Sequence, residues 1–277
     1  MIRLLHIEFI KLWNNRASRF LIVAYFGLIA LIALVTSIKI DWGPLKFNVA
    51  DIGIFNFPYI WHFNTFMIAF LKVFLAIVIV SMISNEYSNK TIKQNLIDGL
   101  SKKEFIASKV WTILALAVAS TVFVFLISLI LGLMHSDFNE ISIIFSDLEY
   151  LIAYFVKLFG FFSFCFFVGM LVKRSAFALG FLFIWFIGAE FFPWVYMTSK
   201  YSVQTADQVS MFFPFGSMWQ SLSEPFTRLS VIQNAAREVG EEIVKDYSVD
   251  PVQLLIVLAW AAIFIWASYA LLKKRDL

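Results

Sequence analysis

Six stretches of this 277-residue chain, at roughly 20–38, 65–83, 110–134, 151–172, 175–192 and 252–272, are apolar almost throughout. Each approaches the length that a helix needs to cross a hydrocarbon core, about 20 residues. Nothing else in the sequence constrains the fold so strongly. In lipid every backbone N–H and C=O must be satisfied within the segment, so runs of this length are expected to span as α-helices. The chain is 61% hydrophobic and 15% charged, against about half and a quarter for a soluble domain. A single water-facing core could not hide that much apolar surface. The expected fold is an all-α integral membrane protein of six transmembrane helices, one domain over 1–277. Spans four and five are divided by little more than Lys173 and Arg174, which marks a tight turn.

The basic residues orient the spans, because positive charge near span ends is held on the cytoplasmic side. With the amino terminus inside, the inner segments carry 14 of the 22 Lys and Arg residues, and the outer segments carry 13 of the 19 acids. The segment 135–150 has four acids and no Lys or Arg. Both termini are therefore expected inside. The first span ends in LVTSIKI, a poor small-residue cleavage site, and follows 19 residues rather than a short basic stub. It is expected to be a span and not a cleaved secretory signal. A single cysteine, Cys165, sits within an apolar run and offers no internal disulfide. The net charge of +3 is too small to point to nucleic acid, and no internal repeat is evident.

Between spans two and three lies SNEYSNKTIKQNLIDGLSKKEFIASKV, residues 84–110, a lysine-rich stretch with unusual helix punctuation. Ile92, Leu96 and Ile97 fall on one face of a short helix, with Lys90, Lys93 and Gln94 on the others. Gly99 stands where a helix takes a left-handed terminator. Ser101 and Glu104 are spaced as a capping box, and Leu100 with Phe105 as a hydrophobic staple. The spacing predicts a short helix, a sharp corner and a second helix running through Lys109 into span three. A loop resting on anionic headgroups is the plainer reading, but such a loop has no need of a capping box and staple. The amino-terminal MIRLLHIEFIKLWNNR sets Ile2, Leu5, Phe9 and Leu12 or Trp13 on one face, with Glu8 beside Phe9 as the exception. That pattern suits an amphipathic helix in the inner interface.

These segments carry a resemblance. LLHIEFIKLWNNR, then NEYSNKTIKQNLIDGLSKKEFIASK, and LLKKRDL after span six resemble a half-size permease of the type-2 ABC exporter superfamily. Glu86, Thr91, Leu96, Ser101 and Lys109 match that family's acid, threonine, short-helix leucine, corner serine and pre-span lysine. Asn89-Lys90 stands where the family has glycine, and Lys102 or Lys103 where it has arginine. The resemblance implies that the helix near 90–98 is a coupling helix docked on a separate ATP-binding subunit, and that the amino-terminal helix is the connecting helix. It also implies a second permease copy or paralogue. Ile92, Leu96 and Ile97 are the expected docking face, with Lys90, Lys93, Lys102 and Lys103 as its rim.

No G-x-x-x-x-G-K-[S/T] phosphate cradle occurs. ATP and Mg are therefore expected on the partner, with no cofactor on this chain, no enzyme activity of its own and no nucleic acid bound. His6, His62 and His135 lie in separate segments and make a poor metal set. Lys72, Lys157 and Glu190 are the ionisable residues within spans, all expected in the outer half. Such charges usually face an interior or a partner. A pairing of Lys72 or Lys157 with Glu190 near the outer mouth of a pathway is expected, although long lysines can also snorkel. The expected function is the permease subunit of an ATP-driven transporter in a bacterial cytoplasmic membrane, moving a hydrophobic or amphipathic substrate. A stand-alone channel or secondary transporter is the alternative. It predicts inverted repeats or spans interrupted at matching positions, and neither is legible. An intramembrane enzyme would need a catalytic cluster at depth, which these three residues do not make. Between spans five and six, the stripe Leu229, Ile232, Ala236, Val239, Ile243 and Tyr247 predicts a helix over 226–247, and MFFPFG (211–216) a re-entrant or interfacial segment.

Overall fold

The computed structural model describes residues 2–38, 40–42, 45–47, 52–240 and 244–275. The chain opens with α1 (Ile2–Asn14), turns at Asn15 and enters α2 (Arg16–Ser37), where the Asn15 side chain accepts the Ser18 amide at 3.1 Å. A short antiparallel ribbon, β1 (Ile40–Trp42) with β2 (Leu45–Phe47), is the only sheet among the described residues. The second span is built from α3 (Tyr59–Ile68), a 3-10 turn (Ala69–Leu71) and α4 (Lys72–Ser88). A seven-residue helix, α5 (Thr91–Ile97), leads to the long α6 (Lys102–His135). The fourth span comprises α7 (Ile141–Ile144) and α8 (Glu149–Val172). The fifth is α9 (Ser175–Trp185), a π turn (Phe186–Phe191) and α10 (Phe192–Lys200). After it come α11 (Val203–Ser210), α12 (Pro214–Gln220) and α13 (Ser230–Glu238), and then the last span, α14 (Pro251–Lys274).

Among the described residues, six helical segments are long and apolar enough to cross a membrane. They run past the apolar cores of the sequence at most ends, because helix continues into the polar flanks until a cap stops it. The largest extension is in span five. Its apolar run stops before Pro193, yet helix continues to Lys200. Proline inside a helix removes one amide and crowds the carbonyl four residues earlier. The widened π turn lies directly before it, where such strain is absorbed.

The bundle is organised around α8, which is buried along most of its length. It packs on α14, α4 and α6. In the absence of a hydrophobic drive between helices in lipid, close backbone approach at small residues supplies the attraction. Gly160 meets Val257 of α14, and Gly169 meets Ile83 of α4, with no room for a larger side chain at the first. Tyr154 of α8 also shares a buried hydrogen bond with Tyr25 of α2, at 3.0 Å between hydroxyls. The bundle therefore has two distinct ends. One, the terminal end, holds α1, the α4–α5–α6 corner, the α8–α9 turn and the last residues of α14. The loop end holds α11, α12 and α13.

At the loop end, the helix expected over 226–247 is shorter. It comprises a 3-10 turn (Phe226–Arg228) and α13, and stops at Glu238. Gly240 follows at φ +82°, a left-handed terminator that cuts the stripe before Tyr247. Ile243 lies outside the described residues. Tyr247 instead accepts a hydrogen bond on its carbonyl from the Tyr150 hydroxyl, at 2.7 Å. The re-entrant reading of 211–216 corresponds to α12, whose Pro214, Ser217 and Met218 are buried.

Candidate functional site

The corner between spans two and three is rigid for local reasons. Lys90 adopts φ +55° beyond the end of α4; α5 then runs about two turns. Gly99 at φ +99° ends α5, and the Gly99 and Leu100 amides return to the carbonyls of Leu96 and Asn95. The capping box is complete. Ser101 Oγ accepts the Glu104 amide at 3.2 Å, and Glu104 Oε2 accepts the Ser101 amide at 2.9 Å. Phe105 of the staple is buried and Leu100 packs against the core. Thr91 Oγ1 donates to the Glu86 carbonyl at 3.3 Å, fixing the entry side as well.

Directly beneath this corner lies a buried charge cluster. The Lys109 ammonium, wholly buried, sits 2.5 Å from Glu8 Oε2 and 2.5 Å from Glu86 Oε1. Lys11 Nζ closes the square at 3.0 Å from Glu8 Oε1 and 3.0 Å from Glu86 Oε1. Two carboxylates and two ammoniums thus join α1, the end of α4 and the start of α6 with no net charge. Burial pushes the Glu8 carboxyl up, but Lys109 and then Lys11 pull it further down, so it titrates below its ordinary value of 4.5. Burial likewise lowers the Lys11 ammonium, and Glu86 and Glu8 more than reverse this, raising it above 10.5. The unfolded carboxyl binds protons before the folded one, so the stability from Glu8 is fully present above its ordinary value. It is lost as pH falls through the depressed value. The stability from Lys11 is full below 10.5 and lost only as pH rises through the raised value. Hydrogen exchange should therefore find α1 amides protected at neutral pH and deprotected as pH drops below about 4.5. Glu8→Gln should flatten that acid limb; an unchanged limb would show that Glu8 does not hold α1.

Beside the cluster, Lys11, Asn14, Asn15, Asn85, Glu86 and Asn89 line a cavity of about 260 Å³. Glu86 Oε2 is buried there without a hydrogen-bond partner among the described residues. The carboxyl-terminal residues complete the terminal end. Arg275 donates to the Met170 carbonyl at 2.6 Å and the Tyr87 hydroxyl at 2.8 Å, and Lys102 to the Arg275 carbonyl at 3.2 Å.

The sequence singles out Glu86 and Lys109 through the family resemblance but pairs neither with the other, nor with Glu8 or Lys11. Glu8 is an acid on the face of α1 that turns inward with Leu12, while Phe9 and Trp13 remain exposed. Its position beside Phe9, out of keeping with the apolar stripe, was the signal. The expected docking face divides. Ile92 is 1% exposed and belongs to the chain's own core, Leu96 is partly buried, and Ile97 is 74% exposed. A face open to a partner therefore consists of Ile97 with Lys90, Lys93 and Gln94. Lys103 is exposed, whereas Lys102 is tied to the α14 carboxyl end.

The intramembrane charges do not pair as expected. Among the described residues neither Lys72 nor Lys157 reaches Glu190. Both Glu190 oxygens are taken by the amino terminus of α12: Phe215 N donates at 2.9 Å and Gly216 N at 2.8 Å. A helix amino terminus presents free amides and partial positive charge, which satisfies a carboxylate without a lysine. The lysines meet aromatic rings instead. Lys72 Nζ lies 4.6 Å from the Phe161 centroid, and Lys157 Nζ lies 5.8 Å from Trp219 and 6.0 Å from Phe66. A lysine at mid-membrane costs about 3 kcal/mol on insertion scales. One cation–π contact returns about 0.5–2 kcal/mol. The rings do not offset two such lysines. The other features stay structural: His62 stacks on Tyr150 with ring centroids 4.1 Å apart, and Cys165 is buried.

A family model described as an ABC-2 family transporter protein matches residues 15–277. No curated protein matches the chain.

Proposed function

Because the chain belongs to the ABC-2 family of transporter proteins, we propose that it is the permease subunit of an ATP-driven transporter coupled through the α4–α5–α6 corner. The terminal end then faces the cytoplasm, and a separate ATPase, which carries ATP and Mg, docks on the open face of α5 around Ile97. A second permease copy or paralogue completes the complex. The cargo is hydrophobic or amphipathic, and it is exported or extracted across a bacterial cytoplasmic membrane. The observation that carries this reading is the buried cluster beneath the docking helix. A push on α5 meets a corner closed by a capping box, and Lys109 and Glu86 pass the displacement to spans two and three and to α1. A flexible loop would dissipate the same push. The reading is tested by purifying the tagged chain from its native cells. A nucleotide-binding ATPase retained on it, and ATP-dependent movement of cargo after reconstitution, are expected. A well-folded chain that retains no ATPase would contradict the proposal.

One observation favours a second reading. Spans two and five are each one continuous helical segment, but both depart locally from the regular α ladder, at the 3-10 turn Ala69–Leu71 and the π turn Phe186–Phe191. Fully discontinuous spans are a feature of secondary transporters. Cargo movement by the chain alone, without ATPase or ATP, would favour that account.

A further inference from the structure

The two local departures flank one region. The 3-10 turn ends at Lys72, the first residue of α4, so the ammonium leaves the chain where span two changes pitch. The π turn carries Glu190, whose carboxylate is spent on the α12 amides and holds that helix against the bundle. Trp219 of α12 is thereby set beside Lys157, which is itself only 3% exposed. Phe161 links the two lysines, lying under Lys72 and one helical turn along α8 from Lys157. No carboxylate or carbonyl among the described residues accepts a hydrogen bond from either ammonium. On the surface side the region is lipped by rings: Phe70 and Trp219 are both more than half exposed and stand 6.1 Å apart, and each packs edge-to-face on Phe66, whose ring lies 6.0 Å from the Lys157 ammonium.

We propose that Lys72 and Lys157 bind the phosphate of an anionic amphiphile, whose apolar part lies along Phe66, Phe70 and Trp219. A buried ammonium at Lys157 and a partly buried one at Lys72, neither with an acceptor among the described residues, are a complement to a group of two negative charges with several acceptor oxygens. Aromatic rings at the lip accept hydrocarbon and tolerate a headgroup beside them. Glu190 takes no part in binding; it is a positioning residue that sets α12 and hence Trp219. Calling the bound molecule cargo rests on the permease reading above, whereas the binding itself does not.

The test uses the full chain in detergent, with no ATPase present, so that its failure is separate from failure of the transporter reading. Retention of dioleoyl phosphatidic acid after exhaustive detergent exchange is compared with that of dioleoyl phosphatidylcholine. Near-stoichiometric retention of phosphatidic acid alone is expected. Lys157→Met and Lys72→Met should each weaken it by about thirty-fold or more, and Lys200→Met, an exposed lysine at the loop end, should not. Methionine keeps the apolar stem, and thermal unfolding of each variant checks that the fold is kept. Inorganic phosphate that displaces the lipid would assign the site to the free anion, and phosphate without effect would assign it to the headgroup. Equal retention of both lipids, or retention unchanged in both folded methionine variants, would overturn the proposal.

Discussion

Lys109→Met should destabilise the protein more than any other single substitution at the terminal end. The change keeps the length and apolar stem of the side chain and removes only its charge. It leaves Glu8 and Glu86, both nearly buried, with Lys11 as their one remaining cation. Breaking a buried ion pair by deleting one partner costs about 3–5 kcal/mol, because the survivor stays desolvated. The expected result is a large fall in the thermal midpoint in detergent, together with loss of protection in α1. The combination Lys109→Met with Glu86→Gln should recover most of the loss, since Glu8 and Lys11 then balance. A single variant as stable as the wild type would mean that the cluster is solvated and transmits nothing. A double variant no better than the single would assign the loss to packing rather than to charge.

Ile97→Asp should leave the fold intact and abolish ATPase association. Ile97 is exposed, so the substitution adds a charge to water in the isolated chain, and surface changes of this kind usually stay within about 0.5 kcal/mol. At an interface the same aspartate would be desolvated without a partner, a cost on the order of several kcal/mol. Copurification should fall below detection, with the thermal midpoint of the chain unchanged. Ile92→Asp, one and a half turns away and buried, should instead lower the midpoint sharply. If the two substitutions behaved alike, the division of α5 into a core face and a docking face would be wrong.

That division shows where sequence reading reaches its limit. Helical periodicity places Ile92 and Leu96, four apart, on one face, but Ile97, five residues from Ile92, stands roughly 140° round the helix from it and was wrongly grouped with them. It could not say which edge of that face the bundle covers, since burial depends on how α5 leans on α4. The capping box and the glycine terminator were legible, because each is satisfied within a few residues. The charge cluster was only half legible. Glu86 and Lys109 flank one corner, 23 residues apart, whereas Glu8 joins Lys109 across 101 residues and announces itself only as an acid out of pattern. Glu190 was misassigned for a comparable reason. Opposite charges at similar depth suggest a pair, but backbone amides at the start of α12 compete, and they carry no signature in side-chain identity.

The account rests on α5 being the point at which an ATPase meets this chain, and one cross-linking measurement tests that contact. Cys165 is the only cysteine and is buried, so Ile97→Cys introduces the single reachable thiol. A photoactivatable maleimide there, in native membranes, should give an adduct containing one ATPase subunit. The yield should change when a non-hydrolysable nucleotide is added, because closure of the ATPases moves the docking groove. The same probe at Val239→Cys, exposed at the loop end, should give no such adduct. An ATPase adduct from position 239 with none from position 97 would contradict the assignment of both the docking helix and the cytoplasmic end.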